Sequence, residues 1–365
     1  MDKMPRWADV ILVPLINLVL AFLVSGLVVL AIGENPLDAI YFMLKGALGS
    51  TQGVGYTLYY ATNYMFTGLA VAVAFHARLF NIGGEGQAAV AGLGTAIVLL
   101  SFDWPHWAVA LPFAIIGAGL FGAAWAFIPA YLQAKRGSHI VITTIMFNFI
   151  GAALMGYMLN GLLKSPDTQN AESIAFPAGA HLPTAHEVFA TFGIPFSKSA
   201  PLNISFLLAL GCAFLVWYLL WKTRLGYQIR AFGHSEAAAK YAGIPAVKIT
   251  IITMLISGAL AGMLSINVVM GEQERLIKEF VEGAGFVGIA VALMGRSHPF
   301  GIVLAALLFG VLTQGGFELL WEMPTISREM VLVIQALIIL FTGALNNMVH
   351  DPVERLFIRL KKGKS

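Results

Sequence analysis

The sequence predicts an all-α fold: a polytopic transmembrane helical bundle of about ten spans with both termini cytoplasmic. Three observations carry that expectation. Hydrophobic residues make up 58% of the 365 and charged residues only 11%, with a mean hydropathy of +0.81, whereas a soluble domain carries about 25% charged residues. Ten apolar runs follow one another, separated by polar breaks rich in glycine and proline. The basic residues are also unevenly shared. With the N-terminus inside, only Lys45, Lys164, Lys198, Arg275, Lys278 and Arg328 of the 22 Lys and Arg fall in outer segments, the asymmetry that membrane insertion imposes. No strong internal repeat is visible, and residues 1–365 read as a single membrane domain.

The first run, residues 10–32, follows Lys3 and Arg6. It is longer than the roughly 7–15 apolar residues of a signal-peptide core and reads as an uncleaved first span. Pro36 and Asp38 then open a short amphipathic segment, 39–48, expected at the membrane interface. Spans two and three cover 57–75 and 86–100, with a polar break between them. Asp103, Trp104, Pro105, His106 and Trp107 form an outer turn with aromatic rings at headgroup level. Span four, 108–132, returns the chain inside at Lys135 and Arg136, and span five covers 140–160. Residues 161–201, rich in Pro, Ala and Ser, make an extracytoplasmic section. Span six, 202–221, enters a cytoplasmic loop at 222–246, and span seven, 249–270, leaves it. Within span seven, Gly258 and Gly262 form a small-xxx-small surface that lets another helix approach closely. An outer acidic segment, 271–282, precedes a short run at 286–294, readable as a full span or as a re-entrant half-helix. Residues 301–317 and 330–348 complete the set, and Arg355, Arg359, Lys361, Lys362 and Lys364 hold the C-terminus inside.

Composition excludes several functions. Net charge is only +3 and the cations sit in loops, which argues against a nucleic-acid partner. The single cysteine, Cys212, rules out an internal disulfide framework and a thiolate metal cluster. The terminal Gly363-Lys364-Ser365 has Ile358 where a Walker A sequence needs its first glycine. There is no G-x-S-x-G and no H-E-x-x-H, and the eight histidines are scattered. Nothing in the chain argues for catalysis, a resident metal or a bound cofactor.

Residues 222–246 are the longest basic, polar interval between apolar runs. Ser235 suits an N-cap. Glu236 precedes Lys240 by four residues, the favourable order for an ion pair. Gly243 and Pro245 supply a stop. The result is about two turns of helix, too short to persist in water without a surface to lie on. Lys222, Arg224, Arg230, Lys240 and Lys248 place it in the cytoplasm. A short docked helix between spans is what a transporter needs to take force from a soluble motor. The stretch Gly233, His234, Ser235, Glu236, Ala237, Ala238, Ala239, Lys240, Tyr241, Ala242, Gly243 and Ile244 resembles the coupling helix of ABC-importer permeases, in the branch that carries ribose, nucleosides and branched-chain amino acids.

A second polar cluster is Phe80-Asn81-Ile82-Gly83-Gly84-Glu85-Gly86-Gln87. Three glycines in four positions break the helix between spans two and three. Glu85 is the acid that this topology leaves at membrane depth, where an ionisable group marks a wet cavity by default. The spacing alone also fits a tight cytoplasmic turn with a solvated Glu. The stretch resembles the F-N-I-G-x-E-G-Q signature of nucleoside-type ABC permeases, which implies that Phe80, Asn81, Glu85 and Gln87 border the translocation path. In a third cluster, Thr143, Thr144 and Asn148 lie within a turn and a half, with 144 and 148 on one face. Their polar groups suit a sugar, or equally a neighbouring helix or their own backbone. Here Ser138-His139 departs from the Asn-Glu usual in the family. Asn63, Asn267, Gln314 and Gln335 read as links between helices, and 283–299 resembles the family's late glycine-rich segment.

The resemblance implies further chains. These are a second permease, related but different; an ABC ATPase that binds the ATP; and an extracytoplasmic solute-binding protein that delivers a small molecule at a bacterial-type inner membrane. Nucleosides lead as solute, ribose-type sugars follow, and branched-chain amino acids come third. An ion-coupled secondary transporter is the rival class, and it would need several charged groups at mid-membrane depth.

Overall fold

The computed structural model describes residue 5, residues 12–341 and residues 352–355. The expected inner cations at 3, 6, 359, 361, 362 and 364, and residues 342–348 of the last run, lie outside the described residues. In chain order the helices are α1 (Val13–Ala31), α2 (Pro36–Leu48), α3 (Thr51–His76), α4 (Gly84–Leu100), α5 (Trp107–Arg136), α6 (Ile140–Asn160), α7 (Ala185–Ala190), α8 (Ser205–Lys222), α9 (Arg224–His234), α10 (Glu236–Tyr241), α11 (Ala246–Gly262), α12 (Ala284–Met294), α13 (Pro299–Glu322) and α14 (Arg328–Ile339). A π-helical segment, Ile266–Glu272, extends α11. Among the described residues there is no strand, only two isolated β-bridges.

Each expected run contains a helix, but not each helix is a span by length and composition. Among the described residues five are: α5, α6, α8, α11 with its π extension, and α13. The count becomes six if α1 and α2, bent by 115° at the break between them, form one broken span. The helix α3 fails on composition, and burial explains why. Its side chains from Thr57 to Ala74 are nearly all enclosed by protein, so Tyr, Thr and Asn take places that lipid contact would have forbidden. By length, α4 and α12 fall short. Their 17 and 11 residues rise about 26 and 16 Å, against a hydrocarbon core of about 30 Å. The run at 286–294 therefore has the length of a half-helix.

The chain packs as two compact units, Thr51–Gly310 and Met1–Ser50 with Val311–Ser365. In the first, α3 lies among α8, α11 and α12. The pair α5 and α11 meets where the small residues of span seven predicted a close approach: a methyl on Gly258 would strike the carbonyl of Gly122. Amides join the buried faces. Asn267 donates to the Asn63 side chain (2.8 Å) and to the Tyr59 carbonyl (3.1 Å), and accepts from Asn203 (3.0 Å) and the Ser205 hydroxyl (2.7 Å). In the second unit, α1 packs on α14. The start of α2 is set by Asn35, whose side chain accepts from the Leu37 amide (3.0 Å), and by Pro36 at the first helical position. This helix buries Ala39, Met43, Gly46 and Ala47 and exposes Leu37, Tyr41, Leu44 and Leu48, which gives the predicted amphipathic segment two apolar faces.

Candidate functional site

The break between α3 and α4 is built by side chains that replace missing helical hydrogen bonds. After His76 the backbone turns through Arg78 at φ 56°, and Phe80 stacks on Phe75 with ring centroids 5.0 Å apart. The Asn81 side-chain oxygen accepts from the Gly83 backbone amide (2.9 Å) and from the Gln87 side chain (3.1 Å), while its side-chain NH2 donates to Gln87 (2.9 Å) and to the Ser257 hydroxyl on α11 (2.8 Å). Asn148, on α6, bridges the same loop: it accepts from the Gly86 amide and donates to the Ile82 carbonyl, both at 2.9 Å. Asn81, Gln87 and Asn148 are all buried, so the unwound backbone has partners without water. Asn148 lies eight residues into α6, about 12 Å along its axis. The break is therefore well inside the helical layer, unlike a solvated turn.

Glu85 joins this break to the start of α12. One carboxylate oxygen accepts from the Gly283 amide and the other from the Gly285 amide, each at 2.9 Å. These amides lack partners within α12 because they belong to its N-cap and first turn, and a carboxylate there also opposes the positive end of the helix. The approach is close: a methyl on Gly285 would collide with the Glu85 backbone nitrogen. Two broken helices, α4 and α12, thus begin against each other, with one acid across the seam. Beside it lies a cavity of about 250 Å³ bordered by Glu85, Gly86, Asn148, Lys278, Glu279 and Glu282, with Ala89, Ala152, Met155 and Phe280 as its apolar wall.

The other candidate path residues behave differently. Thr144 is buried but donates to the Ile140 carbonyl of its own helix (2.8 Å), and Thr143 does the same (3.0 Å). The threonines take the back-bonding alternative, while the amide at 148 reaches another element. Gln335, read as a link between helices, donates to the Leu312 carbonyl (3.1 Å). Glu85 is also not the sole acid among the helices: Glu272, on the π-helical segment, receives the Tyr59 hydroxyl. The sequence placed Glu272 in an outer loop because the π turns extend the helix beyond Met270, and no residue pattern announces a π-helix.

The sequence also undervalued residues 161–201. Glu172 forms a β-bridge with Ile277. The Ser173 amide donates to the Leu276 carbonyl (2.9 Å), the Phe176 amide to the Glu274 carbonyl (2.8 Å), and Arg275 pairs with Glu172 at 3.3 Å. This strap holds the 273–283 loop that roofs the cavity. Within that loop Glu274, Glu279 and Glu282 all have positive φ, a conformation that costs a residue with a Cβ about 1 kcal/mol or more.

The basic interval at 222–246 folds as two helices instead of one. Thr223 caps α9 by accepting from the Gly226 amide (3.0 Å), so the helix over Arg224–His234 precedes the predicted one. The helix α10 follows as expected: Ser235 accepts from the Ala238 amide (3.3 Å), Lys240 pairs with Glu236 at 2.6 Å, and Gly243 stops it at φ 80°. Gly233 is buried at the end of α9, while His234, Ser235, Glu236, Ala237, Ala238, Lys240 and Gly243 are exposed. Ala239 and Ile244 dock the short helix on the bundle, and Tyr241 stands 97% exposed. A large ring held in water on a two-turn helix is a protruding peg.

Residues 53–343 match the family described as "Branched-chain amino acid transport system / permease component". The guanosine ABC transporter permease protein NupP of Bacillus subtilis (strain 168) is 34% identical over 335 residues, 92% of this chain and 93% of its own. The nucleoside ABC transporter permease protein NupB of Lactococcus lactis subsp. cremoris (strain MG1363) is also 34% identical, over 91% of this chain and 90% of its own. The glucose ABC transporter permease protein TsgB13 of Haloferax volcanii is 32% identical over 90% and 86%.

Proposed function

This chain belongs to the family of permease components of branched-chain amino acid transport systems, and on that premise we propose that it is the membrane permease of an ATP-driven ABC importer for nucleosides. The observation that carries the solute is the 34% identity, across nine-tenths of each chain, to permeases named for guanosine and for nucleosides. In this reading the chain is a multi-pass protein of a bacterial-type inner membrane, with about ten crossings and both termini cytoplasmic. It has no enzymatic step of its own, since ATP is bound by a separate ATPase.

The solute passes beside the α3–α4 break. Glu85 and Asn148 face it at the cavity, Asn81 and Gln87 hold the loop that leads to Glu85, Phe80 and Thr144 pack at that loop, and Thr143 stands beside Thr144 on α6. A second permease, related but different, completes the path. An extracytoplasmic binding protein delivers the solute. The ATPase grips the peg from Gly233 to Ile244, and the two states of the motor must contact the peg differently if hydrolysis is to drive alternating access. A simple sugar is the second reading, favoured by the 32% identity to a glucose permease.

Uptake of labelled guanosine, ribose and glucose by cells lacking this chain tests the proposal. Guanosine uptake is expected to be lost. Unchanged guanosine uptake with lost sugar uptake would reverse the order of solutes. Co-purification of the chain with an ATPase separates the importer from an ion-coupled carrier, and ATP-independent accumulation by the isolated chain would refute it.

A further inference from the structure

A backbone joint at the inner ends of the helices links the peg to both broken helices. At the end of α9, Gly233 is pressed against the end of α3: a methyl there would run into the His76 carbonyl, and its next neighbour would be the Ala77 Cα at 3.2 Å. No side chain separates the two backbones, so little compliance lies between them. His76 then reaches across the bundle. Its Nε2–H donates to the Ser297 carbonyl (3.1 Å), and its ring meets Trp221 edge-on with centroids 5.2 Å apart. Trp221 in turn contacts His298 (5.0 Å), which stacks near Phe300 (5.7 Å).

Two arms leave this joint. The first runs from Ala77 through the break to Glu85, eight residues on. The second runs from Ser297 back through α12, an 11-residue rod about 16 Å long, to Gly285 and Gly283. The arms meet where Glu85 accepts the amides of Gly283 and Gly285. A displacement of Gly233 therefore reaches both sides of the seam from one origin.

We propose that His76 is a positioning residue for coupling: through Gly233 it takes the movement of the peg, and through Ser297 it passes that movement to α12, so that the two broken helices move in step. This rests on the reading of the chain as an ABC permease. It adds a residue outside the peg and outside the solute path, with a hydrogen bond as its means of action.

The test uses the complete complex, with both permeases and the ATPase, reconstituted in liposomes with the solute-binding protein outside. Guanosine uptake and ATP hydrolysis are measured together. His76→Phe keeps a ring against Trp221 but removes the donor to Ser297; His76→Gln keeps a donor and removes the ring. The Phe variant is expected to hydrolyse ATP within twofold of the unmodified complex while moving at least tenfold less guanosine per ATP. The Gln variant is expected to retain more than half of the normal ratio. Normal guanosine per ATP in the Phe variant would overturn the proposal. So would a parallel loss of hydrolysis and uptake in both variants, since that is the mark of a merely structural residue. If the unmodified complex moves no guanosine, or moves it without ATP, the functional reading fails instead, whatever His76 does.

Discussion

Replacing Glu85 by Gln should loosen the seam between α4 and α12 by a predictable amount. The carboxylate accepts two backbone hydrogen bonds of 2.9 Å, from Gly283 and Gly285. Glutamine keeps one carbonyl oxygen and turns an NH2 group toward the second amide, so one bond becomes neutral and the other is lost. Hydrogen bonds to a charged group contribute about 1.5–3 kcal/mol and neutral ones about 1 kcal/mol. The carboxylate at a helix start adds about 0.3–1 kcal/mol. Water in the adjoining cavity offsets part of the loss by solvating the freed amide. The net effect is about 2 kcal/mol, or roughly 30-fold in how often the seam opens. Hydrogen exchange read by mass spectrometry on peptides spanning 281–287 should accelerate by about that factor, while peptides over Gly258–Gly262 stay unchanged. Exchange at 281–287 within threefold of the unmodified protein would refute the assignment of the seam to Glu85.

Other predictions concern separate parts of the chain. Ser235→Ala removes the cap of a six-residue helix, which should cost about 1 kcal/mol locally and lower uptake per ATP without lowering the melting temperature of the bundle. Gly243→Ala forces a Cβ into φ 80°, at about 1 kcal/mol, and should uncouple hydrolysis from uptake while insertion stays normal. Asn267→Leu leaves the Asn63 and Asn203 side chains short of partners and should reduce thermal stability in detergent by about 1–3 kcal/mol. Gly258→Leu drives a side chain into the Gly122 backbone and should separate α5 from α11, seen as lost folded yield on size exclusion.

Apolar periodicity and breaker residues made the helices legible in the sequence, because both report on local physics. Pro36 opened a helix where expected, and Ser235 with Gly243 bounded another. Burial was less legible. The polar content of α3 reads as a weaker span, yet it reflects enclosure by other helices, which no local pattern records. The Phe80–Gln87 cluster stood out as a break rich in polar groups, but the partner of Glu85 lies about 200 residues away and is backbone. Backbone amides carry no signature in a sequence beyond the glycines that admit close approach. The helix α9 was hidden by its basic character, which reads as loop until Thr223 is seen capping it. The strap at 171–176 was invisible for the same reason: it works through main-chain bonds.

The meeting of α4 and α12 start to start has an electrical consequence. Each helix carries roughly half a positive charge at its beginning, so two beginnings face to face amount to about one unit, close to what a single ionised Glu85 neutralises. With the acid in place the region is nearly balanced. Without that charge, as in Glu85→Gln, the two starts would present a bare positive field, and half-helix ends of this kind repel protons and small cations.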